Sequence, residues 1–197
     1  MRIQILAALG AASLAAVAGF ASLVPEAGAS VDTKRLIESD APANAGQWLS
    51  YGRDYTEQRY SPLAQINVDN VNQLGLAWYA DLAERGGSYE TTPLVVDGRI
   101  YVTAPWSKLY AFDARTGRQL WKYDPKVPGE YAVRLCCGIV NRGAAAWKDK
   151  VIWGTLDGRL IAVNAKTGRK IWETQVTDPD AWQSITGAPR VANGRVF

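Results

Sequence analysis

The chain has 197 residues, with 22 basic against 19 acidic side chains, two Cys, eight Trp and no His. Without His, this chain contains no Ser-His-Asp triad, no His-ligated zinc and no C-x-x-C-H haem site. A net charge of +3, evenly spread, is too mild to argue for nucleic acid, and the length allows one or two domains.

The first 29 residues read as an export signal rather than as fold. Arg2 supplies a short positive region, Ile3 to Val24 is an uncharged run rich in Ala and Leu, and Ala27-Gly28-Ala29 has the small-residue pattern of a signal-peptidase site. The run is just long enough to span a bilayer, so an uncleaved anchor is the competing reading. The many small residues and the A-x-A pattern favour cleavage after Ala29. That leaves Ser30 as the mature N-terminus, with 21 basic against 18 acidic residues. No Cys stands at the cleavage point, as a lipoprotein would need. The expected location is extracytoplasmic, in a bacterial periplasm.

After this leader, Leu74-Gly75-Leu76-Ala77-Trp78 is the first, weak copy of a repeat. Strands are expected from Pro93 through Val96 and over Arg99–Thr103, joined by an Asp97-Gly98 turn, then over Lys108–Asp113 and Gln119–Tyr123. The last pair contains Ala111-Phe112-Asp113-Ala114-Arg115-Thr116-Gly117-Arg118-Gln119-Leu120-Trp121. It recurs as Ala162-Val163-Asn164-Ala165-Lys166-Thr167-Gly168-Arg169-Lys170-Ile171-Trp172, with the Trp residues 51 positions apart. Around this second copy, strands are expected over Ala144–Trp147, Val151–Thr155, Arg159–Asn164 and Lys170–Thr174, with an Asp157-Gly158 turn before the third, and the Thr-Gly of each copy supplies a tight turn. Four short antiparallel strands per period make one blade of a β-propeller, with each Trp wedged between blades. From Ser184 to Phe197 the pattern restarts, with Ala188-Pro189-Arg190-Val191 and Arg195-Val196-Phe197 on either side of an Asn193-Gly194 turn, and it stops inside a strand. The sequence thus predicts an all-β propeller with tryptophan-docking repeats, of which about two and a part blades are present over residues 30–197. It also leads us to expect a longer parent chain.

Between the two full repeats lies Arg134-Leu135-Cys136-Cys137-Gly138-Ile139-Val140-Asn141-Arg142-Gly143. Adjacent Cα atoms are about 3.8 Å apart, against roughly 4.4–6.8 Å in ordinary disulfides. A Cys136–Cys137 bond would therefore close a small strained ring. That ring, two free thiols, and pairing with something outside the chain all remain open on the residues alone.

At these residues the chain resembles the pyrroloquinoline quinone (PQQ)-dependent alcohol and methanol dehydrogenases, eight-bladed periplasmic quinoproteins. The resemblance runs from Gln47-Trp48-Leu49-Ser50-Tyr51-Gly52-Arg53-Asp54 through Tyr89-Glu90-Thr91-Thr92-Pro93 and the Cys pair with Val140-Asn141-Arg142-Gly143. It ends at Thr186-Gly187-Ala188-Pro189. The Cys pair with Val-Asn-Arg-Gly is its most specific part. The resemblance implies that Cys136 and Cys137 form a disulfide ring packed on PQQ, and that Arg142 pairs with a PQQ carboxylate. It places Glu90 and Thr186 at the same cofactor, and it implies a Ca²⁺ or lanthanide ion whose ligands, like the catalytic base, lie beyond Phe197. It further implies oxidation of a small primary alcohol to an aldehyde, with cytochrome c or a quinone as electron acceptor, and a chain inactive by itself. No catalytic or metal-binding residue is assigned within these positions, and Asp113 and Asp157 read as turn-flanking repeat residues. Gly138 departs from the Asp that the family commonly has there. A non-catalytic envelope scaffold and a sugar dehydrogenase using the same cofactor are the competing readings; the Cys pair counts against both.

Overall fold

The computed structural model describes residues 30–82, 84 and 86–197; the leader and its cleavage site lie outside the described residues. The described residues form two four-stranded antiparallel sheets and the start of a third. The first contains β1 (Leu94–Val96), β2 (Arg99–Ala104), β3 (Lys108–Asp113) and β4 (Gln119–Tyr123), in sequence order. The second contains β5 (Ala145–Trp147), β6 (Lys150–Gly154), β7 (Arg159–Asn164) and β8 (Lys170–Gln175), again in order. A hairpin of β9 (Val191–Ala192) and β10 (Arg195–Val196) follows. These are two propeller blades and part of another.

Short strands hold here because each sheet buries both faces of its middle strands. Leu109, Ala111, Val151, Ile161 and Val163 are buried in alternation with Tyr110, Ile152 and Ala162, which pack on the opposite face. The repeated turn has a local cause. Asp113 Oδ1 accepts hydrogen bonds from the backbone N–H of Arg115 and Thr116 and from the Thr116 hydroxyl; Asn164 Oδ1 does the same for Lys166 and Thr167. Such Asx turns present the following Gly to the next layer.

Trp121 fills the gap between the blades. It is buried, and its Nε1–H donates to Ala165 O at 3.1 Å. A Cβ added at Gly168 would lie 2.7 Å from its ring, so only glycine leaves room for the indole. Trp78 repeats the arrangement one step earlier, donating to Ala114 O at 3.1 Å and lying 2.5 Å from a Cβ at Gly117. The wedge role expected for these Trp residues is what the structure contains.

β1, β5 and β9 lie side by side as the inner strands, while β8 is largely exposed. The third hairpin is shorter than the sequence suggests: Ala188 and Pro189 lie outside β9, since Pro189 offers no N–H to a ladder. The residues before β1 form a strap across the blades. Trp48 bridges Val95, Val31 bridges Lys148, and the Tyr55 hydroxyl donates to Val191 O at 2.7 Å. The strap holds the short helix α1 (Thr33–Ile37) and a buried Arg53 that pairs with Asp40. Tyr51 is clasped between the guanidinium groups of Arg59 and Arg190, 4.3 and 4.5 Å from its ring centre.

Candidate functional site

The ends of the blades differ. The turns within β1–β2, β3–β4, β5–β6 and β7–β8 lie at one end; the β2–β3 and β6–β7 links and the long connection from β4 to β5 lie at the other. The long connection carries the Cys pair. Cys136 and Cys137 are joined as a disulfide with Cα atoms 3.8 Å apart, which closes the alternatives the residues left open. Both are exposed. Gly138 has φ +79°, a conformation glycine adopts without the penalty another residue incurs. The departure from Asp at this position therefore fits the loop that is present.

The entrances to the inner strands are stitched together. The Thr92 N–H donates to Arg142 O at 3.0 Å, and the Arg142 N–H donates to Thr186 O at 2.9 Å. One residue from each of three successive blade entrances is thus held at a common height. Gly143 makes this approach possible: its φ is +142°, and a Cβ there would meet Thr92 O and the Ala188 Cβ at 3.2 Å each.

That stitching brings the side chains of Glu90, Arg142 and Thr186 into one cluster. Arg142 donates to Thr186 Oγ1 at 2.7 Å and pairs with Glu90 Oε2 at 2.9 Å. Both charged side chains remain about a third exposed, 34% for Arg142 and 38% for Glu90. The disulfide shares a small cavity of about 70 Å³ with Leu135, Gly138, Arg142, Ser184 and Thr186. Glu90 does not line this cavity and reaches the cluster only through Arg142. The cavity is smaller than the roughly 300–1,000 Å³ that encloses an organic ligand. It forms one corner of a site, not a whole one.

Behind Arg142 lies a buried polar layer that sequence reasoning missed. Asn141 is 1% exposed; its Nδ2 donates to Gly154 O at 2.8 Å and Ser107 Oγ at 3.3 Å, and its Oδ1 accepts from Gly143 N at 3.2 Å. Ser107, fully buried, accepts from Leu156 N at 3.2 Å and, through its carbonyl, from Trp153 Nε1 at 2.7 Å. Trp106 and Ser107 both hold positive φ, 62° and 55°. Such strain persists only where the surroundings enforce it, and this network does so. Thr103 Oγ1 lies 2.8 Å from Thr91 Oγ1 and 3.2 Å from Asn141 O, tying β2 to the same layer. The one signal in the sequence was Asn141 itself, a polar residue between Val140 and Arg142 in the specific motif.

Next to Gly143, the Arg59 hydrogen bond, opposed by burial, holds the Tyr51 phenol below its ordinary value. A second charge cluster anchors the loop leading to Glu90. Glu84 takes hydrogen bonds from Lys108 at 2.5 Å, Lys122 at 2.6 Å and the Tyr110 hydroxyl. Burial pushes this carboxyl up, and the hydrogen bonds from Lys108, Lys122 and Tyr110 together outweigh it, bringing the group down to about 2.

Fold and site together define a propeller sector whose inner-strand entrances converge on an arginine beside a vicinal disulfide. The chain belongs to the PQQ family described as the glucose/ethanol/alcohol dehydrogenase β-propeller domain, whose model matches residues 48–180. It is 51% identical over 192 residues to the dehydrogenase subunit of an alcohol dehydrogenase (quinone) of Gluconobacter oxydans, covering 94% of this chain and 25% of that protein. Quinohemoprotein alcohol dehydrogenase ADHIIG of Pseudomonas putida superposes with a TM-score of 0.79 at 51% identity, over 87% of this chain and 25% of that one. A europium-containing methanol dehydrogenase superposes with a TM-score of 0.73 at 36% identity, over 83% and 28% of the two chains. The chain thus spans about a quarter of the length of the relatives it matches.

Proposed function

We propose that this chain supplies one wall of the PQQ site in an exported dehydrogenase that oxidises a primary alcohol to an aldehyde. The observation that carries this reading is the exposed Cys136–Cys137 disulfide sharing a cavity with Arg142 and Thr186. The donor set fits a flat, carboxylate-bearing quinone. Arg142 offers a planar cation with N–H donors left over after Thr186 and Glu90 take theirs, a geometry suited to carboxylates. The sulfur pair offers an uncharged surface for an aromatic face, and the Thr186 hydroxyl a further polar contact.

When bound, PQQ supplies the two-electron redox chemistry that the side chains of this chain lack. Arg142 would bind and orient the cofactor through a carboxylate, and Cys136–Cys137 would pack on one face and keep water from it. Glu90 would hold the Arg142 fork in place as well as contribute its own oxygens, and Thr186 would fix the other side of that fork. The ion, Ca²⁺ or a lanthanide, and the base that takes the alcohol proton are assigned to parts of the enzyme beyond Phe197. Electrons would pass on to cytochrome c or a quinone. The leader over residues 1–29 and a disulfide that the cytosol would keep reduced both support a periplasmic location.

Titration of PQQ into the full-length apoprotein tests the reading. Arg142→Ala should weaken binding by about 1.5–3 kcal/mol, the worth of hydrogen bonds to a charged group. Arg142→Lys should recover only part, because the planar fork is gone. Unchanged affinity in the Ala variant removes Arg142 from the site.

A further inference from the structure

A second cavity, about 460 Å³, opens at the end of the blades remote from the disulfide, among the turns of β1–β2, β5–β6 and β7–β8. Its volume lies within the range that holds small organic ligands. Val31, Val96 and Tyr101 are buried residues in its lining. The Tyr101 hydroxyl is already committed to Ala165 O at 3.0 Å, so the ring presents an apolar face.

The charge in this cavity is unbalanced. Arg99 lines it with a buried Nε that has no hydrogen-bond partner, and among the described residues no carboxylate forms an ion pair with Arg99. A buried guanidinium N–H left without an acceptor is costly. The two carboxylates of the lining are engaged elsewhere: Asp97 accepts from Arg35 Nη2 at 2.6 Å and Nη1 at 3.0 Å, and Asp149 pairs with Lys150 at 2.5 Å. Lys148 and Lys166 stand exposed at the mouth, and neither is in an ion pair among the described residues. An apolar floor beneath an unanswered guanidinium, with two ammonium groups at the entrance, calls for a ligand that is anionic at one end and apolar at the other.

We propose that this cavity is a binding site for a small organic carboxylate. The carboxylate accepts from Arg99, the hydrocarbon body covers Val31, Val96 and the Tyr101 ring, and Lys148 and Lys166 draw the anion in. An inorganic anion would answer the charge but leave the apolar floor wet.

Calorimetric titration of hexanoate into the mature, PQQ-loaded full-length protein tests this, since the redox site is then filled. Hexanoate should saturate at one per chain, and neutral hexanamide should give no saturable heat. Arg99→Met should weaken hexanoate by about tenfold or more, and Lys166→Glu by a smaller factor. No saturable hexanoate binding, or binding unaffected by Arg99→Met, overturns the proposal; so does inorganic phosphate binding as tightly as hexanoate. If Arg99→Met does not fold, the double variant Lys148→Glu, Lys166→Glu, altered only on exposed turns, serves instead. Unchanged hexanoate affinity in that folded protein overturns the proposal as well.

Discussion

Glu84 carries a pH signature that folding imposes on it. Its carboxyl, 8% exposed, would ionise less readily in a bare pocket, yet Lys108, Lys122 and Tyr110 bring it down to about 2. A group depressed on folding stabilises the protein above its unfolded value, near 4.5, and loses that contribution as pH falls toward 2. Glu84→Gln should therefore cost roughly 1–3 kcal/mol at pH 7. Thermal unfolding of both proteins should show the gap narrowing from pH 5 to pH 3; a gap of constant size would remove the charge from the explanation. None of this was legible in the sequence. Glu84 reads there as one acidic residue in a loop, and its partners come from β3 and β4, at least 24 positions away. Asn141 was hidden for the same reason, because Ser107 and Gly154 meet it only after two blades have formed. Glu90, Arg142 and Thr186 were singled out by resemblance and the structure brings their side chains together, although residue types alone would have left each as an ordinary loop or strand position.

The strands of the two full blades could be read to within a residue at each end. Asp97-Gly98 and Asp157-Gly158 marked turns, and the paired Thr-Gly marked the links before β4 and β8, because turn chemistry is local and needs no partner. The strap before β1 could not be read in this way: its Trp48, Val31 and Tyr55 contacts are made with three different blades. Between these extremes stands the stitching of inner strands at Thr92, Arg142 and Thr186, which depends on one residue without a side chain. Gly143→Ala would place a methyl 3.2 Å from Thr92 O in a backbone conformation that alanine avoids. It should destabilise the protein by about 1–3 kcal/mol and loosen the Arg142 cluster with it. Chemical unfolding of the full-length variant measures the first effect and PQQ titration the second. A fully stable Gly143→Ala protein would mean that the strands can part there at no cost.

At the scale of the whole molecule, the three clustered side chains each ride on a different sheet entrance, and the sheets are held apart by indole rings. Glu90 leads into β1, Arg142 into β5 and Thr186 into β9, while Trp121 lies between the first two sheets, stacked on Gly168. The separation of the three side chains is therefore a matter of angle, set by the thickness of what lies between the sheets, as the ribs of a fan are set by their pivot. Trp121 acts as the shim. Thinning it by Trp121→Phe, while keeping the protein folded, should close the angle and shift PQQ affinity severalfold, although the indole spends its hydrogen bond on Ala165 and its ring contact on Tyr101. An affinity identical to the parent would show that the entrances hold their spacing by the backbone ladder alone. If the shim does set it, the reach between Glu90, Arg142 and Thr186 is adjustable from the far side of the sheet, with all three side chains left unchanged.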